Sequence, residues 1–167
     1  MRLVPLTSEK FPELLEFEEE NRNFFRQHIP DRGDDYFLPE EFQGRNEALL
    51  MEQANQQSFF YLIVNEAGQV IGRINLTDCN WQQQSAELGY RIGEGSLGKG
   101  MATQAVDLIS IEAQTLGLKK ILAYTTNNNL ASQKVLTKSG FQFTHQASEP
   151  FLFLDEEVFF VYFEKMI

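Results

Sequence analysis

The sequence predicts a single mixed α/β domain over residues 1–167, with a mostly antiparallel sheet of about seven strands, four helices and one parallel strand–helix–strand unit. Three observations carry this. Three β-rich runs, at residues 58–65, 70–78 and 86–92, are separated only by short polar turns, which makes them an antiparallel meander. A helical apolar stripe and a further apolar run at 119–126 follow, so the third strand and the next form a parallel pair with a right-handed crossover. The chain is 43% hydrophobic with 15 Phe, enough for a real core in 167 residues, and no repeat, low-complexity tract or linker divides it.

Arg2 to Leu6 is a short apolar run that reads as an edge strand. Ser8 offers a helix N-cap with Pro12 in the first turn, and Phe11, Leu14, Leu15 and Phe17 keep helical spacing to about Glu20. Glu16 and Glu18 to Glu20 form an acidic cluster, either a solvated face or an attractor for a positive substrate. Residues 21–36 mix polar and aromatic residues without a period, so a partly helical stretch leads into a loop. Loops of that kind build binding sites, which makes Phe24, His28 and Tyr36 candidate acceptor contacts; His28 reads as a surface or packed histidine, not as a base. Pro39 starts the next helix, with Phe42, Leu49, Leu50 and Met51 facing inward, to about Asn55.

The strand at 58–65 is aromatic and β-branched and turns through a hairpin at 66–69. Period-two alternation in the next strand puts Val70, Gly72, Ile74 and Leu76 on one face and Ile71, Arg73, Asn75 and Thr77 on the other. In the strand at 86–92, Glu87, Gly89 and Arg91 share one face, and Ala86, Leu88, Tyr90 and Ile92 the other. The following helix runs from about Lys99 to Leu116, buries Ala102, Ala105, Ile109, Ala113 and Leu116, and ends at Gly117. After the strand at 119–126, Asn127 to Asn129 cap a helix from Leu130 to Lys138 that Ser139-Gly140 closes. Phe141 to His145 and Glu157 to Lys165 are the last strands, joined by a Pro150-containing loop over 146–156.

Lys and Arg number 14 against 24 Asp and Glu, a net charge of -10. Such a chain does not suit sequence-independent nucleic-acid binding, which rests on Lys and Arg, and suits a cationic ligand better. The single cysteine, Cys79, rules out an internal disulfide and a zinc site of four cysteines. No signal peptide precedes the first structured run, and no apolar run reaches the roughly 18 residues of a membrane span. A soluble, cytoplasmic protein without a membrane partner is expected.

Glycines at 93, 95, 98 and 100 lie between the third meander strand and the following helix. A strand, a glycine loop and a helix start together make an anion site, most naturally for phosphate. Gly93-x-Gly95-x-x-Gly98 matches the dinucleotide fingerprint, but the next strand ends in Thr125, Thr126 and Asn127, with no carboxylate for the ribose. Gly93-(x)4-Gly98-Lys99 is nearly a P-loop, but Gly100 stands where Ser or Thr must meet magnesium. Gly98-Lys99-Gly100-Met101-Ala102-Thr103 closely resembles the G-x-G pyrophosphate loop of acyl-CoA N-acyltransferases.

Two further motifs support that third reading. Asn129-Leu130-Ala131-Ser132, followed by the stretch from Val135 to Phe141, is similar to an N-x-x-S helix ending in L-x-K-x-G-F. Ala86-Glu87-Leu88-Gly89-Tyr90 is similar to the A-E-I-G-Y strand of the ribosomal-protein N-terminal acetyltransferases. With the element order, these motifs make the whole chain resemble the GNAT superfamily. They are specific from Ala86 to Phe141. The Gln or Arg often found three positions before the first glycine of G-x-G is Gly95 here, which withdraws one side-chain contact and leaves the backbone cradle.

The resemblance implies acetyl-CoA as co-substrate, no metal, and a primary amine as partner: a ribosomal or other protein N-terminus, a polyamine or a small aminated molecule. It implies a monomer or a homodimer. Backbone amides of Leu97, Gly98, Lys99, Gly100, Met101 and Ala102 would face the pyrophosphate, with Lys99 adding charge and Thr103 a hydroxyl. Strand end Tyr90, Arg91 and Ile92 would bond the pantetheine arm, with Asn129 beside it, and an amide near Arg91 or Ile92 would serve the oxyanion. Ser132 matches the serine placed near the sulfur, and Glu87 is the candidate base and acceptor contact, directly or through water. Glu87 is otherwise a structural ion pair with Arg73 or Arg91. A non-catalytic CoA-binding module and a dinucleotide-binding βαβ protein remain the alternative functions.

Overall fold

A computed structural model describes residues 1–167. The strands are β1 (Arg2–Pro5), β2 (Phe59–Val64), β3 (Val70–Asn80), β4 (Ser85–Ile92), β5 (Lys120–Thr126), β6 (Gln142–Gln146), β7 (Phe151–Phe153), β8 (Glu156–Val158) and β9 (Phe160–Met166). The helices are α1 (Phe11–Glu20), α2 (Arg22–Phe25), α3 (Pro39–Ala54), α4 (Met101–Thr115) and α5 (Leu130–Lys138). Seven strands form one sheet in the order β1-β2-β3-β4-β5-β9-β6, parallel only between β4 and β5.

Both faces of the sheet are covered, which is why β2 is apolar throughout rather than alternating. Its Tyr61 and Ile63 join Ile74, Leu76, Ala105, Val106 and Ile109 in one core, on the α4 side. Its Phe60, Leu62 and Val64 join Leu14, Phe17, Phe25 and Phe42 in the other, on the α1–α3 side. α4 ends in a glycine cap: Gly117 has φ 91°, and the amides of Gly117 and Leu118 bond back to Gln114 and Ala113.

The predicted elements are present, with local corrections. Val70 packs with the α1–α3 core, not with Ile74 and Leu76, because the β2–β3 register shifts at Ile63/Val64. Met51 is exposed and Asn46 holds the buried position on α3, bonding its own helix at Phe42 O. Ser8 makes no capping bond; it begins a single 3-10 turn that leads into α1. α4 begins at Met101 and not at Lys99, since Gly100 is left-handed at φ 73°. The expected loop at 146–156 contains a small second sheet, β7 paired with β8, whose Leu154-Asp155 turn takes positive φ at both residues. The one-turn α2 is a helix beyond the four expected.

Candidate active site

β4 and β5 pair only from Ser85/Lys120 to Leu88/Ala123. Beyond that β4 continues to Ile92 on β3 alone, and β5 to Thr126 on β9 alone. Gly93 donates to Ile71 O. Antiparallel alternation then turns the Arg91 amide toward β3, and the Tyr90 and Ile92 amides toward the gap. Unpaired backbone groups at such a gap call for a partner.

A cavity of about 320 Å³ fills this gap. Thr77, Glu87, Gly89 and Tyr90 line one side, Tyr124 to Thr126 the other, with Asn129 and Ser132 at the start of α5. His28 to Pro30 and Phe151, Phe153 and Phe160 complete it. Two larger open grooves, of about 610 and 830 Å³, hold none of Glu87, Tyr90, Asn129 or Ser132, so the chemistry favours the smaller cavity.

At the head of α4, Gly98 and Gly100 have φ of 72° and 73°, and a Cβ on either would meet nothing within 4 Å. Backbone conformation, not crowding, therefore requires glycine there. Gln104 N–H is the first amide to bond within α4, to Gly100 O at 3.1 Å, and the amides from Gly98 to Thr103 have no protein acceptor. Six free donors at a helix start fit an anionic group such as a pyrophosphate. The Leu97 amide is taken by Glu94 O, and Lys99 Nζ donates to Gly95 O at 2.8 Å, clasping the loop.

Asn129 caps α5, its side chain accepting from Ser132 N–H at 3.1 Å. Ser132 Oγ lies 3.0 Å from Tyr90 Oη. Burial pushes the Tyr90 phenol up, against the opposing pull of the Ser132 bond, so the phenol stays protonated at neutral pH. The sequence placed Tyr90 here for its backbone only. Its phase with Leu88 and Ile92 reads as core, and alternation gives no sign that the sheet opens beside it.

Burial, and then the nearby Asp78, push the Glu87 carboxyl above its ordinary value. The Tyr124 phenol is raised by burial and then by Glu87. Glu87 is not ion-paired with Arg73 or Arg91. Those two guanidiniums both bond Glu18, at 3.0 Å each, with Glu18 only 2% exposed. Glu18 thus leaves the expected solvated acidic face, while Glu16 and Glu20 line the 610 Å³ groove. Burial and the neighbouring Arg32 and Arg73 bring Arg91 down to about 10 despite Glu18. Arg91 also lies over the Phe25 ring at 5.0 Å, so this ionic group ties α1 and α2 to β3 and β4.

The remaining expected acceptor contacts separate. His28 lines the cavity; Phe24 does not, and packs edge-on against His28 at 4.8 Å. Tyr36 is 1% exposed in the α1–α3 core, away from the cavity. Tyr124, Phe151, Phe153, Phe160 and Thr77 are cavity residues that sequence reasoning missed. No local pattern marks the three phenylalanines for one wall, since Phe151 meets Phe160 only through tertiary packing. No group of three His, Cys, Asp or Glu side chains is placed to hold a metal, and no helix is long and apolar enough to cross a membrane.

The family model for the acetyltransferase (GNAT) domain matches residues 1–142. The probable N-acetyltransferase YjcK of Bacillus subtilis is 32% identical over 146 residues, covering 82% of this chain and 77% of its own. Among solved structures, the ribosomal-protein-S5-alanine acetyltransferase from Vibrio fischeri has a TM-score of 0.88 at 21% identity, covering 98% of this chain and 91% of that one. The RimL ribosomal L7/L12 alpha-N-protein acetyltransferase, solved in complex with coenzyme A, has a TM-score of 0.88 at 16% identity, covering 99% and 93%. At these identities the structural likeness is one of fold. The protein is an acyl-transfer enzyme. More narrowly, the chain belongs to the GNAT acetyltransferase family and is an N-acetyltransferase.

Proposed function

We propose that this N-acetyltransferase takes acetyl-CoA as donor and passes the acetyl group to a primary amine that attacks the thioester directly in a ternary complex. One observation carries the reading. The β4–β5 gap has free strand edges along its length and a carboxylate and a paired hydroxyl on its walls, and the loop that leaves β4 leads to unpaired amides at the start of α4.

Each residue then has a task. The amides from Gly98 to Thr103 hold the pyrophosphate of the donor. The exposed edge of Tyr90 and Ile92 orients the pantetheine arm, with Asn129 keeping the start of α5 in place. An ammonium must lose a proton before its nitrogen can attack, and Glu87, directly or through water, accepts it. The nitrogen bonds the carbonyl carbon, and the oxyanion meets an amide of the gap-facing β4 edge. As the carbon–sulfur bond breaks, Ser132 Oγ–H donates to the departing thiolate and takes the Tyr90 Oη proton, and the second proton lost by the acylated nitrogen, carried by water, restores the Tyr90 phenol. A protein N-terminus and a small amine are both primary amines that this chemistry accepts.

Thermal shift with acetyl-CoA, CoA, NAD and ATP side by side tests the donor. Ligand at a hundredfold excess over Kd stabilises by about 2.7 kcal/mol. The expected result is stabilisation by the two CoA species alone, with thiol release on adding an amine. Stabilisation by NAD but not CoA would favour a dinucleotide site, and CoA binding without thiol release for any amine would favour a binding module.

A further inference from the structure

We propose that the acceptor carries one ammonium beside an apolar or aromatic body, and that the cavity selects against diamines and polyamines. This deepens the acetyltransferase reading and rests on it. Glu87 is the one carboxylate lining the cavity. Asp78 lies near enough to raise Glu87 but faces a different groove, beside Trp81. His28, also at the cavity wall, brings no negative charge at any pH.

The wall facing Glu87 is aromatic and continuous. Phe160 stacks on Phe151 with ring centroids 4.5 Å apart and meets Tyr124 edge-on at 5.2 Å, and Phe153 lines the cavity next to them. An amine at Glu87 satisfies its charge with the carboxylate and an aromatic face. A second ammonium further along the same molecule would have only these rings and no carboxylate, and a cation–π contact alone does not offset the desolvation of an unpaired charge. The acidic side chains that suit a polycation are elsewhere. Glu13, Glu16, Glu20 and Glu94 line the separate groove beside α1, so the net charge of -10 is not concentrated at the acceptor end.

The test measures thiol release from acetyl-CoA by the full chain, comparing kcat/KM for phenethylamine, pentylamine, cadaverine and spermidine. Pentylamine and cadaverine share a carbon chain and differ by one terminal ammonium. The monoamines are expected to exceed the diamine and the triamine by about tenfold or more. Phe153→Asp, which adds a carboxylate to the wall, should narrow or reverse the gap between pentylamine and cadaverine. Phe153→Ala removes a ring without adding charge and should raise KM for phenethylamine, which keeps the idea testable if the Asp variant does not fold. Cadaverine or spermidine turning over as well as the monoamines overturns the proposal and leaves acetyl transfer standing. Thiol release with none of them, while acetyl-CoA still stabilises the protein, also overturns it. Absence of stabilisation by acetyl-CoA sinks the underlying reading instead.

Discussion

The hydroxyls of Tyr90 and Ser132 meet at 3.0 Å across the opening between β4 and α5, joining two residues 42 positions apart in the chain. Either oxygen can be the donor, so the pair can deliver a proton into the gap and refill it from behind. Ser132→Ala is expected to lower kcat by about a hundredfold, within the range of positioned acid–base groups. Tyr90→Phe keeps the ring in place and should lower kcat less, by about tenfold, with KM for acetyl-CoA little changed. Equal kcat in the Phe variant and the parent would remove Tyr90 from the proton path.

Glu87 has a raised pKa in the folded protein, so folding favours its neutral form. Its contribution to stability is therefore present at low pH and lost as pH rises through the folded value. Activity has the opposite sign, since the base must be ionised: kcat/KM falls as pH drops through that raised value. Glu87→Gln should thus remove the acidic limb of the kcat/KM profile and lower activity by about a hundredfold. At neutral pH its melting temperature should equal or exceed the parent's. A melting temperature well below the parent's would mean that the carboxylate has a structural partner instead.

Glu18, Arg73 and Arg91 form a buried group in which one carboxylate serves two guanidiniums. Breaking such a group leaves an uncompensated charge and typically costs about 3–5 kcal/mol. Glu18→Ala should fall in that range by urea denaturation. Replacing all three with apolar residues should recover much of the loss. If the single variant costs no more than an ordinary surface change, the side chains have rearranged to reach water.

Gly100 sits at φ 73° with open space where a Cβ would go. Gly100→Ala should destabilise the fold by only about 1–2 kcal/mol, the cost of a left-handed residue with a side chain. Its effect on CoA binding should be larger, because relaxing φ re-aims amides at the head of α4. Isothermal titration would show a raised Kd for CoA. An unchanged Kd would mean that the loop amides do not bind the donor.

The main sheet was legible because its strands are apolar runs of the right length between turn residues, and the β4–α4–β5 unit was legible from its change of period. The β7–β8 hairpin was not. Its turn is Leu154-Asp155, and left-handed conformations at such residues leave no glycine to mark them. At the site, motif spacing located Glu87, Asn129 and Ser132, and the structure brings all three to one cavity. Phe151, Phe153 and Phe160 escaped because their role depends on β9 lying next to β5, a long-range pairing that local pattern does not encode. Tyr36 misled for the converse reason. An aromatic residue in an aperiodic segment looks available, yet tertiary packing puts it in the α1–α3 core.

β9 lies between β5 and β6, although it follows both in the chain, and β6 pairs with no other strand of the sheet. During synthesis, β6 must therefore wait on the nascent chain until Phe160–Met166 leaves the ribosome and supplies its only neighbour. The Phe160 side of the cavity arrives with that same segment. Everything up to α5 can assemble as the chain emerges, but the β4–β5 cavity lacks one wall until β9 is threaded into the middle of that half of the sheet.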